Sequence, residues 1–229
     1  MKVDKRIAKE NNIFKAAEKV FAVSGFKNTK MEDIAVEAGI TKVTLYAYFQ
    51  SKENLYMGVT YKALQQLIDS YYETIDKYRS HTGLNATVAI VKCFMDFCEE
   101  NYLYSEALLE YFAIVRSSSS GTDLAKIPES LQESIYFQKM QDLHNLPFKL
   151  AVKEVERGKL DGSILEDSDS MLLTLHAWSI VIGYIKVISA SGENATPLFN
   201  VSLLALKELN LNLIRSVLEG KITSAAVLL

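Results

Sequence analysis

The stretch GITKVTLYAYFQSKENL (residues 39–55) places hydroxyl groups, lysines and aromatic rings close together behind a glycine. A helix that only filled a core would keep its polar groups on one face and its apolar groups on the other. Here Thr41, Lys42, Thr44 and Tyr46 lie within six residues of one another. The role of these side chains depends on the elements that flank them.

Two helices are predicted before this stretch. Apolar residues at three- and four-residue steps predict an amphipathic helix over about residues 5–24, and Gly25 supplies the left-handed stop. Thr29 and Glu32 have the spacing of a capping box, with the hydroxyl at the cap position. We therefore expect a second, short helix over about residues 30–38.

The third and fourth helices complete a helix-turn-helix layout. Gly39 separates the second helix from the third, which Thr41 is expected to cap and which ends near Phe49. Ser51 is expected to cap a long fourth helix. Ala35 is placed where the second and third helices cross closely, and the residues assigned to the small core are Ile34, Ala38, Ile40, Leu45 and either Tyr48 or Phe49. Those left pointing outward are Lys42, Val43, Thr44, Tyr46, Ala47 and Gln50.

This outward face suits the major groove of DNA. Small residues permit close approach, hydroxyls bond phosphates or base edges, and Lys42 has the length to reach a guanine or a phosphate. The alternative is an ordinary helical hairpin whose tyrosines pack against neighbouring residues. A further rival function is an all-helical binding or structural protein that does not contact DNA.

Charge is distributed unevenly along the 229 residues. Residues 1–52 carry ten Lys and Arg against six Asp and Glu, a net of +4, and the remainder carries fifteen against twenty-two, a net of −7. Together these give the net charge of −3 for the whole chain. A basic N-terminal part on an acidic body suits a module that meets a polyanion.

The whole chain is predicted to be all-α. It contains only three prolines and ten glycines, and no segment alternates apolar and polar residues in the way that strands do. We expect a DNA-binding domain over residues 1–51, extending to about 67 with the start of the fourth helix and holding the helix-turn-helix at about 30–49. Residues 52–229 are expected to form a larger helical domain for effector binding and dimerisation.

Here the sequence resembles a known family. GFKNTKMEDIAVEAGITKVTLYAYFQSKENLY (residues 25–56) resembles the DNA-binding domain of TetR-family transcription regulators, and IFKAAEKVFAVSGF before it resembles that family's first helix. The resemblance is specific over residues 7–60 and afterwards limited to helical layout. It implies a cytoplasmic homodimer that binds palindromic double-stranded DNA, by default as a repressor, and is released by a small-molecule effector.

The resemblance also implies which residues contact DNA. Three residues depart from the family pattern: Val43 and Ala47 in the recognition helix, and Met31 in the preceding helix. These departures bear on the operator sequence more than on DNA binding itself. The candidate DNA-binding residues are Thr29, Lys30, Thr41, Lys42, Thr44, Tyr46, Tyr48 and Lys52.

In the resembled family, the helices that follow the DNA-binding domain enclose an effector pocket. The corresponding region of this chain is rich in aromatic residues, and the alternative for each of them is a plain core position. The candidate pocket residues are Tyr71, Phe94, Phe97, Tyr111, Phe112, Tyr136, Phe137 and His176.

The last helix, predicted over about residues 198–218, is too apolar for a helix packed on one side. At 100° per residue its apolar side chains cover an arc of roughly 240°, whereas one packed face needs about 100°. The excess predicts packing against a second subunit, and the alternative is a deep monomer core. The candidate dimer-interface residues are Gly183, Leu203, Leu206, Leu213 and Val217.

Other functions find little support in the sequence. Met171 to Ala190 has nearly the length of a membrane span, but it contains His176 and Lys186 and lacks basic flanks, so a buried helix is favoured. Cys93 and Cys98 are spaced to point in different directions, which argues against a disulfide or metal pair. The sequence has no nucleotide-binding, nucleophile or zinc-enzyme motif. We expect no enzymatic activity, catalytic residue, metal or cofactor.

Overall fold

The computed structural model describes residues 2–115, 129–191 and 200–222. Within these residues the secondary structure is helical and no strand is found, which confirms the all-α prediction. The helices are α1 (Lys2–Asn28), α2 (Met31–Glu37), α3 (Lys42–Tyr46), α4 (Lys52–Lys77), α5 (Gly83–Glu100), α6 (Tyr102–Val115), α7 (Glu129–Gln132), α8 (Ile135–Leu143), α9 (Leu146–Leu160), α10 (Ser170–Ser191) and α11 (Leu203–Leu218).

The described residues group into two compact units. Of the described residues, the first unit contains 2–65, 103–115 and 129–144, and the second unit contains 66–102, 145–191 and 200–222. Helix α4 therefore contributes residues to both. Residues 103–115 and 129–144 thus belong to the same unit as the N-terminal helices.

The first unit has an aromatic core beneath the helix-turn-helix. Phe14 on α1 lies edge-on to Phe49, with ring centroids 5.2 Å apart, and also edge-on to Tyr136 at 5.6 Å. Such edge-to-face pairs contribute about 0.5–1.5 kcal/mol beyond the area they bury. Gly25 has a positive φ of 69° and interrupts the helical backbone of α1, as the stop prediction requires.

Two of the three predicted caps are confirmed. The Thr41 hydroxyl accepts a hydrogen bond from the amide of Thr44 at 3.2 Å, and the Ser51 hydroxyl accepts one from Asn54 at 3.2 Å. The capping box at Thr29 is wrong, because Lys30 is the residue with extended backbone before α2. The Thr29 hydroxyl is buried and instead donates to the carbonyl of Gly25 at 2.8 Å, so it closes the preceding turn.

A pair of glycines allows α5 and α9 to cross closely in the second unit. A Cβ added at Gly83 would lie 2.1 Å from the backbone nitrogen of Gly158, which is far inside van der Waals contact. Nearby, the carboxylate of Asp161 accepts a hydrogen bond from the amide of Gly83 at 2.7 Å. The crossing therefore fixes the start of α5 against the end of α9.

Helix α10 is less buried than the sequence predicts. Among the described residues it is the one helix long and apolar enough to cross a membrane, yet only 28% of its most apolar window is buried. One face packs on α5, α9 and α11. Met171, Leu172 and Leu175 lie on the other face and are exposed.

A buried ammonium group fastens α11 to α5. Lys207 is only 5% exposed, and its Nζ donates to the carboxylates of Asp96 and Glu99, the latter at 2.7 Å. Tyr184 on α10 donates to the same Glu99. Desolvation opposes the ionisation of Asp96, but the hydrogen bonds from Lys207 and Lys92 outweigh it and lower the pKa of this carboxyl.

This cluster yields a prediction for stability. Replacing Lys207 with Met leaves two partly exposed carboxylates without their shared donor, so we expect the free energy of unfolding to fall by about 1–3 kcal/mol. The Asp96 contribution exists above the ordinary carboxyl pKa and is lost as the pH falls through the lowered value. The difference between variant and wild type should therefore shrink below about pH 4, as measured by urea unfolding.

Lys92→Met is the matched control, because Lys92 pairs with the same Asp96 but is half exposed and lies one turn away. Such a pair contributes about 0.5 kcal/mol or less. Equal losses in the two variants would contradict the special weight given to the buried ammonium.

Candidate nucleic-acid interface

The orientation of α3 is set by the turn that precedes it. Gly39 adopts a φ of 64°, which favours glycine, and the amide of Ile40 donates to the carbonyl of Ala35 at 3.0 Å. Ala35 is buried, so only a small side chain fits where α2 meets this turn. The turn thus directs the chain into α3 with one defined face inward.

Two side chains anchor α3 in the first unit. Leu45 and Phe49 are almost completely buried, whereas Val43 is 81% exposed and Tyr46 is 41% exposed. Lys42, Ala47 and Gln50 are also exposed, as predicted, and Thr44 and Tyr48 are half-buried. The helix therefore presents a continuous outward face of mixed lysine, small and aromatic character.

Lys42 is paired with an acidic residue on α2. Its ammonium donates to the carboxylate of Glu32, and it lies 5.8 Å from the ring centre of Tyr46. The hydrogen bond between the two side chains raises the pKa of Lys42 and lowers that of Glu32. Both groups are exposed, so a phosphate could replace the carboxylate without exposing a buried charge.

Lys52, a candidate DNA-binding residue, has its ammonium group bonded within the protein. Its ammonium donates to three carbonyls, those of Phe26 at 2.7 Å, Lys27 at 3.3 Å and Thr29 at 3.0 Å. It also lies 4.6 Å from the ring centre of Phe26. All three ammonium protons thus have acceptors, and Lys52 holds the start of α4 to the turn between α1 and α2.

Among the remaining candidate DNA-binding residues, some side chains are exposed and others are hydrogen-bonded within the protein. Lys30 is exposed, whereas Thr29 is buried with its hydroxyl in use. The Thr41 hydroxyl lies 2.9 Å from that of Thr44, so both belong to the cap of α3. Sequence reasoning missed Asn12, whose amide donates to the carbonyl of Ala38 at 2.8 Å and fixes the end of α2.

The candidate pocket residues fall into both units. In the first unit, Tyr111 has ring contacts with Phe112 and Phe137, and its buried hydroxyl has no partner among the described residues. Tyr136 instead stacks on Phe49 and donates to Glu10 at 2.5 Å, beside the helix-turn-helix.

In the second unit, Tyr71, Phe94 and Phe97 are buried, and His176 is exposed on α10. Phe97 borders an open cleft of about 340 Å³ that Ser70, Thr74 and Cys93 also line. Sequence reasoning grouped these residues with those of the first unit from aromatic content alone.

The candidate dimer residues lie on the second unit's α10 and α11. Gly183 is exposed, with no described heavy atom within 4 Å of the position a Cβ would take. Leu213 is 41% exposed, and Leu203, Leu206 and Val217 are half-buried. The side chains of Leu204 and Leu209, beside them on α11, are exposed as well.

Residues 13–58 match the family model described as bacterial regulatory proteins, tetR family. The match includes α2, α3 and the start of α4. This helix-turn-helix belongs to the TetR family.

Relatives and solved structures extend the TetR-family likeness. The HTH-type transcriptional regulator RutR of Escherichia coli (strain K12) is 39% identical over 72 residues, 31% of this chain and 32% of RutR. The chain thus spans about a third of the length of this relative. IcaR of Staphylococcus aureus (strain Newman), a negative transcriptional regulator of the biofilm operon icaADBC, is 22% identical over 188 residues, 81% of this chain and 90% of IcaR.

A solved structure resembles most of the chain beyond the TetR-family domain. The transcriptional regulator FadR from Bacillus subtilis in complex with stearoyl-CoA matches with a TM-score of 0.66 and 18% identity. The match covers 90% of this chain and 97% of FadR. At this level of identity the likeness establishes the fold, an N-terminal helix-turn-helix followed by a larger helical part.

The ion pair on the TetR-family domain generates a prediction. Glu32→Gln removes the carboxylate that occupies Lys42, so we expect nonspecific duplex DNA to bind about two- to five-fold more tightly at low salt. Lys42→Ala should weaken binding and reduce the slope of log affinity against log salt by about one unit. Fluorescence anisotropy with a labelled duplex measures both effects.

Glu37→Gln is the matched control, since Glu37 lies on the same helix and pairs with Lys19 at 2.9 Å rather than with Lys42. It changes the net charge by the same amount. If both glutamine variants tighten binding equally, the effect is one of net charge and the specific role of the Lys42 pair is refuted.

Proposed function

We propose that this chain is a sequence-specific DNA-binding transcription regulator whose α3 enters the major groove. The observation that carries the proposal is a division of side chains at α3. Leu45 on the helix and Phe49 just after it are buried, whereas Lys42, Val43 and Tyr46 are exposed. A five-residue helix that served only packing would turn its large apolar groups inward, whereas here Val43 and the ring of Tyr46 are exposed beside Lys42. Major-groove recognition needs this combination of fixed backbone and free side chains.

Electrostatics supports the same proposal. The basic excess of the first 52 residues raises the local concentration of the domain near a polyanion, while the acidic remainder disfavours binding through other surfaces. Lys27 and Lys30 are exposed at the turn before α2 and could contact phosphates, which position a domain without specifying sequence. We propose that the protein works in the cytoplasm and has no enzymatic activity.

A homodimer is the proposed working form. Exposed apolar side chains occur on both α10 and α11, and a face of this kind in water indicates an association surface. The small residue Gly183 would let two copies of α10 approach closely. A two-fold dimer reads a palindromic operator, with half-sites about one DNA turn, 34–36 Å, apart.

We also propose that the regulator is a repressor released by a small molecule. IcaR is a negative regulator and FadR is named in complex with stearoyl-CoA, and these relatives motivate the idea. Unbroken α4 supplies residues to both units and is the proposed carrier of the coupling. An effector that releases operator DNA must itself bind more weakly, by the same factor, when operator is present, and equal affinities would rule out this coupling.

Selection of bound duplexes from a random pool tests the DNA-binding proposal. We expect a two-fold symmetric consensus and an affinity that falls steeply with salt, with a slope of about −0.9 for each phosphate neutralised. A pool that shows no enrichment at low salt would contradict the proposal and favour the helical binding protein without DNA function.

The dimer proposal predicts that one charged substitution, Leu213→Glu, prevents dimer formation. Leu213→Glu places a carboxylate in the middle of the proposed subunit contact, where burying it without a partner costs several kcal/mol. We expect monomers by light scattering at micromolar concentration, and loss of cooperative binding to a two-fold operator. Circular dichroism should remain helical, because Leu213 is 41% exposed in the single chain.

Leu160→Glu serves as the control, since Leu160 is 89% exposed at the end of α9 and is not one of the proposed contact residues. Its mass in solution should equal that of the wild type. A wild-type monomer, or a Leu213→Glu variant that is still fully dimeric, would reject this interface.

A further inference from the structure

Val36 on α2 and Val43 on α3 are the most exposed large apolar side chains of the helix-turn-helix segment, residues 31–49, and Val43 is the one on the helix proposed to enter the groove. At 81% exposure it contributes nothing to the core that Leu45 and Phe49 fill. It lies in the first turn of α3, between Lys42 and Thr44. An isopropyl group held in water in the centre of a proposed contact surface gains free energy when a partner covers it.

The chemistry of an isopropyl group restricts what it can recognise on DNA. It neither donates nor accepts a hydrogen bond, so it cannot bind phosphates or the polar base edges. Among the groups that bases present in the major groove, the C5-methyl of thymine is the aliphatic one. Val43 is therefore suited to one base and to no other.

Neighbouring contacts keep Val43 in a defined position. The amide and hydroxyl of Thr44 are bonded to Thr41, which fixes the first turn of α3. The β-branched side chain of valine has few rotamers, so little conformational entropy is lost on contact. Exposed Ala47, one turn further on, leaves room for the groove to approach.

We propose that Val43 reads the C5-methyl group of a thymine in each half-site of the operator. The proposal rests on the DNA-binding function proposed above and assigns a base preference to it. It makes Val43 a specificity-determining residue, whereas Lys42 contributes mainly to affinity.

Replacement of single thymines by uracil tests this contact, because uracil lacks only the methyl group. The probe is the duplex obtained by selection with the wild-type protein, with each thymine replaced in turn. For the wild type we expect one thymine per half-site whose replacement weakens binding about four-fold, the value of burying one methylene-sized group. With Val43→Ala, whose side chain is shorter and keeps only one methyl group, the same replacement should have a clearly smaller effect.

Val23→Ala is the control variant, because Val23 is an equally exposed valine on α1, outside the helix-turn-helix. It should keep the full uracil effect. If replacing thymine by uracil weakens binding at no position, or weakens it equally for the wild type and Val43→Ala, the Val43 contact is overturned while DNA binding stands. If selection yields no operator at all, the proposed function fails and this contact fails with it.

Discussion

Helix α3 has only five residues, and its orientation depends on the burial of Leu45 and Phe49 in the first unit. Helices this short do not hold their shape alone in water, because nucleation is costly and few hydrogen bonds follow it. The cap from Thr41 and the glycine turn at Gly39 contribute, but the apolar anchors decide which side faces outward. Every proposed DNA contact on this helix follows from that constraint.

The lysines around α3 illustrate two different uses of the same side chain. Lys52 directs its ammonium at backbone carbonyls, where it joins the start of α4 to the turn after α1. Lys42 is held by the exposed carboxylate of Glu32, a contact that a phosphate can replace. Lys52 therefore stabilises the fold, whereas Lys42 can exchange its carboxylate partner for a phosphate. Glu32 also weakens any contact between Lys42 and nucleic acid that binds the ammonium less strongly than this carboxylate does.

Local features of this fold could be predicted from the sequence, and nonlocal ones could not. Helix limits set by Gly25, Gly39 and the caps at Thr41 and Ser51 depend on neighbouring residues, and the structure confirms them. The outward side of α3 followed from its apolar spacing. The carbonyl partners of Lys52 come from residues more than twenty positions away, and no local pattern indicates them. The close crossing at Gly83 and Gly158 could not be predicted for the same reason, since it joins residues far apart in the sequence.

The exposed side of α10 and the division of the aromatic residues between two units were also beyond local patterns. Apolar content predicts that a helix is covered, but not whether its own chain or another copy covers it. Aromatic content likewise does not distinguish a pocket from a core. Tyr136 shows the difference, since it packs beside the helix-turn-helix against Phe14 and Phe49 rather than with Tyr111.

Photocrosslinking from position 46 tests the central claim most directly. A photoreactive phenylalanine analogue replaces Tyr46 in one protein and, as a control, Tyr72 in another, because Tyr72 is a similarly exposed tyrosine in the second unit. Irradiation with the selected operator should crosslink position 46 to bases within the consensus and should give no crosslink between position 72 and DNA. Crosslinks from position 72 alone, or equal yields from both, would show that α3 does not lie in the groove.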